Sequence, residues 1–277
     1  MKRLVVMAMA LAALVATTGQ AQEAAAAKEE SPLSFSGTLD IYSAYVWRGM
    51  ILDQHAVAQP GATATFDMGD AGSISANVWM NWDLSQKSGH SKTTRSGGGI
   101  DELDVTLSYS VDVGPVGLSV GHIWYTFPGG GWPKDSYSTE ELYVSASYNN
   151  DIVTPFVQVY YDYNFVGQDF SADPFECLYA NMGLNKSFEI TDQFSVGGSL
   201  SMGWGAKEYN NAYWGSEEGL SDYQAKVFCS YALTDNLTIG GTLAYTGLFD
   251  TSYGLDRDDA ATPESLVWGG VNLGVSF

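Results

Sequence analysis

The chain has little cysteine, little histidine and few basic residues. Its 277 residues include two cysteines (Cys177 and Cys229) and three histidines, and 12 Lys and Arg stand against 32 Asp and Glu, for a net charge of −20. A chain this acidic is a poor partner for nucleic acid, which excludes that class of function. Two thiols and three scattered histidines show no metal-ligand spacing, so we expect no metal site and no cofactor. The cysteines fall on opposite faces of non-neighbouring predicted strands, and we expect no disulfide.

A long apolar run is also missing from most of the chain. The mean hydropathy is −0.07, and only residues 4–16 form an extended apolar segment, which is shorter than the ~20 residues that span a bilayer as a helix. This segment follows Lys2 and Arg3 and precedes a small-x-small site that ends at Ala21. The pattern is typical of a cleaved signal peptide over residues 1–21 and predicts export. We expect residues 22–33 to be a flexible lead-in and residues 34–277 to be one domain.

What the chain has in abundance is alternation with a period of two. In residues 35–47 the odd positions are mostly apolar and the even positions mostly polar, which indicates a strand with two different faces. The same pattern recurs along the chain, and we count about 12 such segments. Only alternate residues of a membrane barrel face lipid, which explains the low mean hydropathy. We therefore predict an all-β fold, a single antiparallel transmembrane β-barrel.

The predicted connections alternate between short turns and long loops. Residues 69–72 form one of the short turns, whereas residues 49–60 and 207–219 are long and rich in polar residues or glycine. In outer-membrane barrels the short turns face the periplasm and the long loops face outward. Aromatic residues of the apolar face, such as Tyr45 and Trp47, gather at both ends of the predicted strands, as expected at two membrane interfaces. A soluble β-sandwich also alternates, but it has no reason to place aromatic residues at both strand ends.

Three motifs carry a family resemblance. The stretch Ser43-Ala44-Tyr45-Val46-Trp47-Arg48-Gly49 resembles the S-x-Y-V-[FW]-R-G signature of the TorF-type, or Gcw_chp, family of outer-membrane proteins described as porins. Tyr125-Thr126-Phe127-Pro128-Gly129 and Glu141-Leu142-Tyr143 are similar to the same family. The resemblance covers essentially the whole mature barrel. It implies a pore in the outer membrane of a Gram-negative-type bacterium and supplies no catalytic or ligand residues.

The C-terminal strand ends on an aromatic residue, Phe277, after apolar residues at alternate positions. This ending resembles the signal by which the barrel assembly machinery recognises its clients. We therefore assign Phe277 as the assembly signal. Outer-membrane lipid and the assembly machinery are the expected partners, together with a small solute or a cation.

The polar positions of each alternating segment predict which side chains line the lumen. The predicted pore-lining residues are mostly acidic: Asp40, Arg48, Asp83, Glu102, Asp104, Asp162, Asp222 and Lys226. Acidic rings favour cations in channels, and bulky aromatic residues on the same parity indicate a narrow bore. We predict a narrow, cation-preferring channel for the passive diffusion of small hydrophilic solutes. The alternative is a non-conducting barrel that acts as a structural or surface-binding protein through its long loops.

An enzyme is the third class, because 12-stranded barrels include a phospholipase with Ser, His and Asn on its outer face. His55, His90 and His122 are the histidines available as a general base. The first two fall in predicted loops, and no serine is predicted beside His122, so we expect no catalytic residues.

The acidic residues around Asp256 in the last predicted loop suit either a hard cation or solvated charge.

Overall fold

The computed structural model describes residues 31–85, 99–128, 138–163, 177–249 and 264–277. Within them, 12 strands close into one antiparallel barrel, which confirms the predicted fold class and strand number. The signal peptide, His90 and Asp256 lie outside the described residues. The first strand begins at Leu33, one residue before the predicted start of the barrel.

The barrel wall consists of strands that pair with their neighbours along the chain. These strands are β1 (Leu33–Tyr42), β4 (Val57–Asp67), β5 (Ser73–Asp83), β6 (Gly99–Val113), β7 (Val116–Thr126), β8 (Ser138–Tyr148), β9 (Thr154–Asp162), β10 (Leu178–Thr191), β11 (Phe194–Gly205), β12 (Gly219–Thr234), β13 (Leu237–Leu248) and β14 (Ser265–Ser276). Two short strands, β2 (Tyr45–Trp47) and β3 (Met50–Asp53), pair with each other in a separate sheet. One helix, α1 (Lys207–Trp214), lies between β11 and β12.

The seam of the barrel joins the two ends of the chain. Strand β1 pairs with β14 on one side and with β4 on the other, which closes the sheet. Phe35 and Phe277 exchange two backbone hydrogen bonds, of 3.2 and 2.9 Å, at the edge of this seam. Closure leaves no strand edge unpaired in the wall.

The two ends of the barrel differ in their connections. At the end that we call the short-turn end, the strands are joined by tight turns such as Gly69–Ala71 and the turn at Gly114. The opposite end, the long-loop end, carries the β1–β4 and β11–β12 connections. The remaining long connections, residues 86–98, 129–137, 164–176 and 250–263, lie outside the described residues.

The outward face of the wall is apolar. Leu200, Val227, Leu243 and Val267 lie on four adjacent strands and are 55–63% exposed. Their inward neighbours, such as Lys226 and Ala244, are more buried. Among the described residues, no helix has the length and apolar character to cross a membrane.

The first strand is shorter than the alternation predicts. The pattern through residues 35–47 predicts one continuous strand, but β1 ends at Tyr42, and the chain then turns into the barrel. Residues 45–53, which we call the inner hairpin, form β2 and β3 around a turn at Arg48 and Gly49, where φ is +46° and +79°. Tyr45 and Trp47 are therefore not part of an outward aromatic girdle: Tyr45 is buried inside the barrel, and Trp47 packs against buried aromatic residues.

Two predicted loops contain regular structure. The predicted loop 49–60 includes β3 and the first residues of β4, and the predicted loop 207–219 includes α1. The helix ends at Gly215, which adopts the left-handed conformation and donates its N–H to the carbonyl of Asn211 at 3.1 Å. Tyr209, Asn210 and Trp214 on this helix are buried. Both of these segments enter the barrel at the long-loop end.

The turn of the inner hairpin gives a first prediction. A Cβ added at Gly49 would clash with Cβ of Asp222 and would lie 2.9 Å from the carbonyl oxygen of Gly247. We expect Gly49→Ala to destabilise the folded barrel by about 1–3 kcal/mol beyond the cost of the positive φ alone, because it adds a clash to the strain.

Gly69→Ala is the matched control, because Gly69 also has a positive φ but nothing lies within 4 Å of the added Cβ. Urea unfolding in detergent micelles measures both variants. Equal destabilisation by the two variants would contradict the close seating of the hairpin against β12 and β13.

The seam gives a second prediction, on Phe277. We expect deletion of Phe277 and Phe277→Ala both to reduce membrane insertion, since both remove the terminal aromatic side chain. The alanine variant keeps the backbone hydrogen bonds to Phe35, so it separates the effect of the aromatic side chain from that of the seam hydrogen bonds. Heat-modifiable gel mobility of membrane fractions measures insertion, and normal insertion of Phe277→Ala would reject the role of Phe277 as an assembly signal.

Candidate functional site

The inner hairpin places a buried arginine inside the barrel at the long-loop end. Arg48 makes a bidentate ion pair with Glu141 at the start of β8: Nη1 donates to Oε1 at 2.8 Å and Nη2 to Oε2 at 2.6 Å. The two side chains are 8% and 1% exposed. Burial alone would lower the pKa of the guanidinium, but the Glu141 carboxylate and the hydroxyls of Tyr209 and Tyr125 raise it well above its usual value. Arg48 therefore stays charged and ties the hairpin to the wall.

Aromatic rings surround the guanidinium of Arg48. Its Cζ lies 4.2 Å from the ring centroid of Tyr160, 4.4 Å from that of Tyr179 and 4.5 Å from that of Trp47. The helix supplies Tyr209, whose ring stacks on Tyr179 at 5.3 Å and whose hydroxyl accepts a hydrogen bond from Arg48. Cation–π contacts favour this arrangement because the rings replace part of the lost hydration. The hairpin, the helix and the wall thus meet at one side chain.

The three motifs that carry the family resemblance converge on Glu141. Arg48 belongs to the first motif, Tyr125 to the second and Glu141 to the third. The hydroxyl of Tyr125 donates to Oε2 of Glu141 at 2.9 Å, beside the two bonds from Arg48. Segments that lie 93 residues apart in the chain are joined at one buried carboxylate.

Residues 26–254 match the family model described as "Bacterial protein of unknown function (Gcw_chp)". The chain belongs to this family. No curated protein sequence matches the chain.

Among solved structures, the barrel of this Gcw_chp member is similar to that of the COG4313 outer membrane channel from Pseudomonas putida F1, with a TM-score of 0.55 at 9% identity over 92% of this chain and 100% of that chain. The NanC porin gives a TM-score of 0.47 at 14% identity, over 86% of this chain and 98% of that chain. Outer membrane phospholipase A from Escherichia coli gives 0.44 at 11% identity, over 87% and 95%. At 9% identity, the likeness to the COG4313 channel shows a shared fold and nothing further.

Further hydrogen bonds connect the inward elements of this Gcw_chp barrel to acidic residues of the wall. From the hairpin, the Tyr45 hydroxyl donates to Glu102 at 2.7 Å. From the helix, the Tyr213 hydroxyl donates to Asp162 at 2.5 Å. Each tyrosine keeps its proton because burial raises the pKa of its hydroxyl well above the usual value. The carboxylates therefore act as acceptors that hold both elements in place.

The residues predicted to line a pore all lie on the inward side of the wall or on the inner hairpin. The buried residues of this set lie towards the long-loop end: Arg48, Asp83, Glu102, Asp104, Asp162 and Asp222. Asp40 and Lys226 are partly exposed; Asp40 lies two residues before the end of β1, and Lys226 lies near the middle of β12. Arg48 was expected at the end of the first strand and is instead in the hairpin turn. Asp222 accepts hydrogen bonds from Tyr179 at 3.0 Å and from Ser221 at 2.8 Å, and Asp40 accepts one from Asn272 at 2.7 Å.

Two buried acidic residues escape prediction from the sequence. Asp53 lies on the hairpin, in what alternation predicts to be a loop. Asp101 lies at a β-bulge: Asn81 pairs with Glu102 and Trp82 with Ile100, which leaves Asp101 as the extra residue. A bulge turns two successive side chains to the same side, so Asp101 and Glu102 are both buried although simple alternation separates them. This change in which residues face inward can be seen in the pairing of β5 with β6 but not in the sequence.

The inward face towards the short-turn end has a different chemistry. Small hydroxyl and amide side chains line it and bond to one another across strands. Thr65 and Ser75 are 2.9 Å apart, Asn77 donates to Thr63 at 2.8 Å, and Ser110 donates to Ser119 at 3.1 Å. These residues are only half-buried, in contrast to the acidic residues at the other end.

His122 lies on the outward side of β7. Its Nε2 is 3.1 Å from Oε2 of Glu140, and the hydroxyl of Tyr163 bonds to both side chains. The partners of His122 are thus an acid and a phenol, and neither is the serine that an acyl-transfer nucleophile would require. His55 contacts Asp53 at 3.0 Å on the hairpin.

The ion pair gives a third prediction. We expect Glu141→Gln to destabilise the barrel by about 3–5 kcal/mol, because it leaves the guanidinium of Arg48 buried without a counter-charge. The double variant Arg48→Met with Glu141→Gln should recover part of this loss, since no buried charge remains.

Urea unfolding in micelles measures each variant, with Glu189→Gln as a control because Glu189 is exposed near a short turn. The single variant Arg48→Met completes the comparison. If the destabilisation of the double variant equals the sum of those of Arg48→Met and Glu141→Gln, the coupling between the two side chains is absent.

Proposed function

We propose that this protein is an outer-membrane channel for the passive diffusion of small hydrophilic solutes, and that its bore is narrow and prefers cations. The observation that carries the proposal is the charge inside the barrel. Glu141 is matched by Arg48, but Asp53, Asp83, Asp101, Glu102, Asp104, Asp162 and Asp222 are also buried there. The described inward residues of the wall include one basic side chain, Lys226.

An outer-membrane location is supported by the apolar outward face. Large aliphatic side chains more than half exposed, such as Leu200 and Val267, would be unfavourable in water over so wide an area. On a closed barrel the same face suits a lipid bilayer, because every wall strand has its backbone paired. The alternation that gives this face also turns the polar side chains inward.

A narrow bore is supported by the two elements inside the barrel. The inner hairpin and α1 occupy the interior at the long-loop end, where their side chains are buried against β8, β9 and β10. Solutes that pass there would have to fit between these elements and the wall. The half-buried hydroxyl lining towards the short turns offers hydrogen bonds to water and small polar solutes.

The same two elements also favour the second candidate, a non-conducting barrel with a structural or surface-binding role. If the hairpin and the helix seal the interior, no solute crosses. Conductance distinguishes the two candidates.

The fourth prediction concerns ion selectivity. We expect the refolded protein in planar bilayers to show single-channel steps whose reversal potential in a salt gradient indicates cation preference, because buried carboxylates dominate the interior. Changing Asp40, Asp83, Asp162 and Asp222 together to Asn should remove most of that preference.

The matched control changes four exposed aspartates in or beside the short turns, Asp70, Asp151, Asp192 and Asp235, to Asn. It removes the same charge from the protein and should leave the reversal potential unchanged. Anion preference, or equal effects of the two sets, would reject cation selectivity by the lumen, and absence of any conductance would favour the non-conducting barrel.

A further inference from the structure

Four inward glycines of the wall each lie directly opposite an aromatic residue of the neighbouring strand. The strand register pairs them as Gly121 with Tyr143, Gly183 with Phe156, Gly197 with Phe228 and Gly270 with Tyr42. Their neighbours along each strand point outward, as Leu142 and Val144 do on either side of Tyr143, at 45% and 55% exposure. An aromatic residue opposite a glycine stabilises a sheet, because the ring covers backbone that the glycine leaves bare.

The rings lean along the wall instead of pointing at the barrel axis. A Cβ built on Gly121 would lie 2.5 Å from Cε1 and 2.7 Å from Cζ of Tyr143. One built on Gly197 would lie 2.5 Å from Cζ of Phe228. The far end of each ring therefore rests over the backbone of the neighbouring strand. All four aromatic side chains are only half-buried, so each ring has one side against the wall and the other towards the lumen.

Polar side chains lie in register between the rings of β8 and β9. The pair Ser145 and Gln158 has Tyr143 and Tyr160 at the next inward positions on one side and Phe156 on the other. The two tyrosine rings have centroids 5.8 Å apart and form one continuous surface. Gln158 accepts a hydrogen bond from the Tyr160 hydroxyl at 3.2 Å, and its amide nitrogen remains a donor.

The same combination recurs at the seam side of the barrel. A single cross-strand row contains Phe228, Thr242, Gly270 and Tyr42. Asn272 donates to the hydroxyl of Tyr42 at 2.7 Å and accepts a hydrogen bond from Thr242 at 3.0 Å. A hydroxyl and an amide thus lie beside the rings on this side as well.

A ring face beside hydroxyl and amide groups is complementary to a sugar. The faces of a pyranose ring carry C–H groups, which are attracted to the negative face of an aromatic ring, and its rim carries hydroxyls that donate and accept hydrogen bonds. The carboxylates at the long-loop end of the same lumen disfavour an anionic solute. A neutral sugar satisfies both conditions.

We propose that the lumen contains a binding site for neutral sugars, in which Tyr143, Phe156 and Phe228 stack on the pyranose rings. As the class of solute that the channel passes, neutral sugars rest on the proposed function. Binding to the rings, in contrast, can be measured without conduction, so the two ideas can fail separately.

The first measurement is of binding. The full mature chain, refolded in micelles of the sugar-free detergent lauryldimethylamine oxide, is titrated by calorimetry with maltose and with sorbitol. We expect saturable binding of maltose and none of sorbitol, which has hydroxyls but no pyranose ring. Changing Phe156 and Phe228 together to Leu should weaken the maltose affinity about tenfold, because two stacking faces are lost. Phe188→Leu is the matched control, since Phe188 is 56% exposed on the outward face of β10, and it should bind like the wild type.

The second measurement is of permeation. Proteoliposomes that contain the protein are placed in isosmotic glucose or sorbitol, two solutes of similar size, and their swelling is followed. We expect glucose to enter at least about threefold faster than sorbitol, and the double variant to lose most of this preference. Rings that only pack against the wall would affect the entry of both solutes equally.

Absence of saturable maltose binding, or an unchanged affinity in the double variant, would overturn the sugar site. Equal entry of glucose and sorbitol through a conducting channel would overturn it too and would leave the channel function intact. Maltose binding without conductance or swelling would reject the channel and retain the site. If the double variant fails to fold, as judged by heat-modifiable mobility, Gly121→Ala decides the question: its methyl group displaces the ring of Tyr143 and should weaken maltose binding at least about threefold.

Discussion

The ion pair between Arg48 and Glu141 is the contact on which the interior of this barrel depends. A charged guanidinium that is removed from water is tolerated only if its charge and its N–H groups are matched. Glu141 matches the charge through two hydrogen bonds, Tyr209 accepts a third, and three aromatic rings cover the faces of the group. Because Arg48 lies in the turn of the inner hairpin, all of these contacts hold that hairpin inside the wall.

This constraint divides the interior into two chemically distinct halves. Towards the long loops, the hairpin and the helix bring tyrosines to the carboxylates of the wall, and most side chains there are buried. Towards the short turns nothing described enters the barrel, and hydroxyl side chains of the wall bond to one another. The wall is the same period-two sheet in both halves, so the difference arises from the two connections that fold inward.

Sequence patterns predict the wall far better than the contents of the barrel. Alternation, turn lengths and the C-terminal strand predict a closed barrel of about 12 strands, because each wall strand must present one face outward and one inward. The same alternation continues through Tyr45 and Trp47, and no feature of Arg48 indicates that its φ becomes positive, which is uncommon for a residue other than glycine. Asp101 is missed for a related reason, since one extra residue in a bulge reverses the parity of the strand. The motifs Ser43 to Gly49, Tyr125 to Gly129 and Glu141 to Tyr143 mark the right residues, but nothing in their spacing shows that they meet at Glu141.

The acidic residues that remain after Glu141 is paired link the charge of the lumen to the position of the hairpin. Tyr45 holds the hairpin by donating to Glu102, and Asp53 brings the hairpin's own carboxylate towards Asp83 and Asp101. Seating the hairpin therefore adds negative charge to a region that is already negative, and the Arg48–Glu141 pair has to outweigh this repulsion. The charge of the interior is thus coupled to the inward fold of residues 45–53.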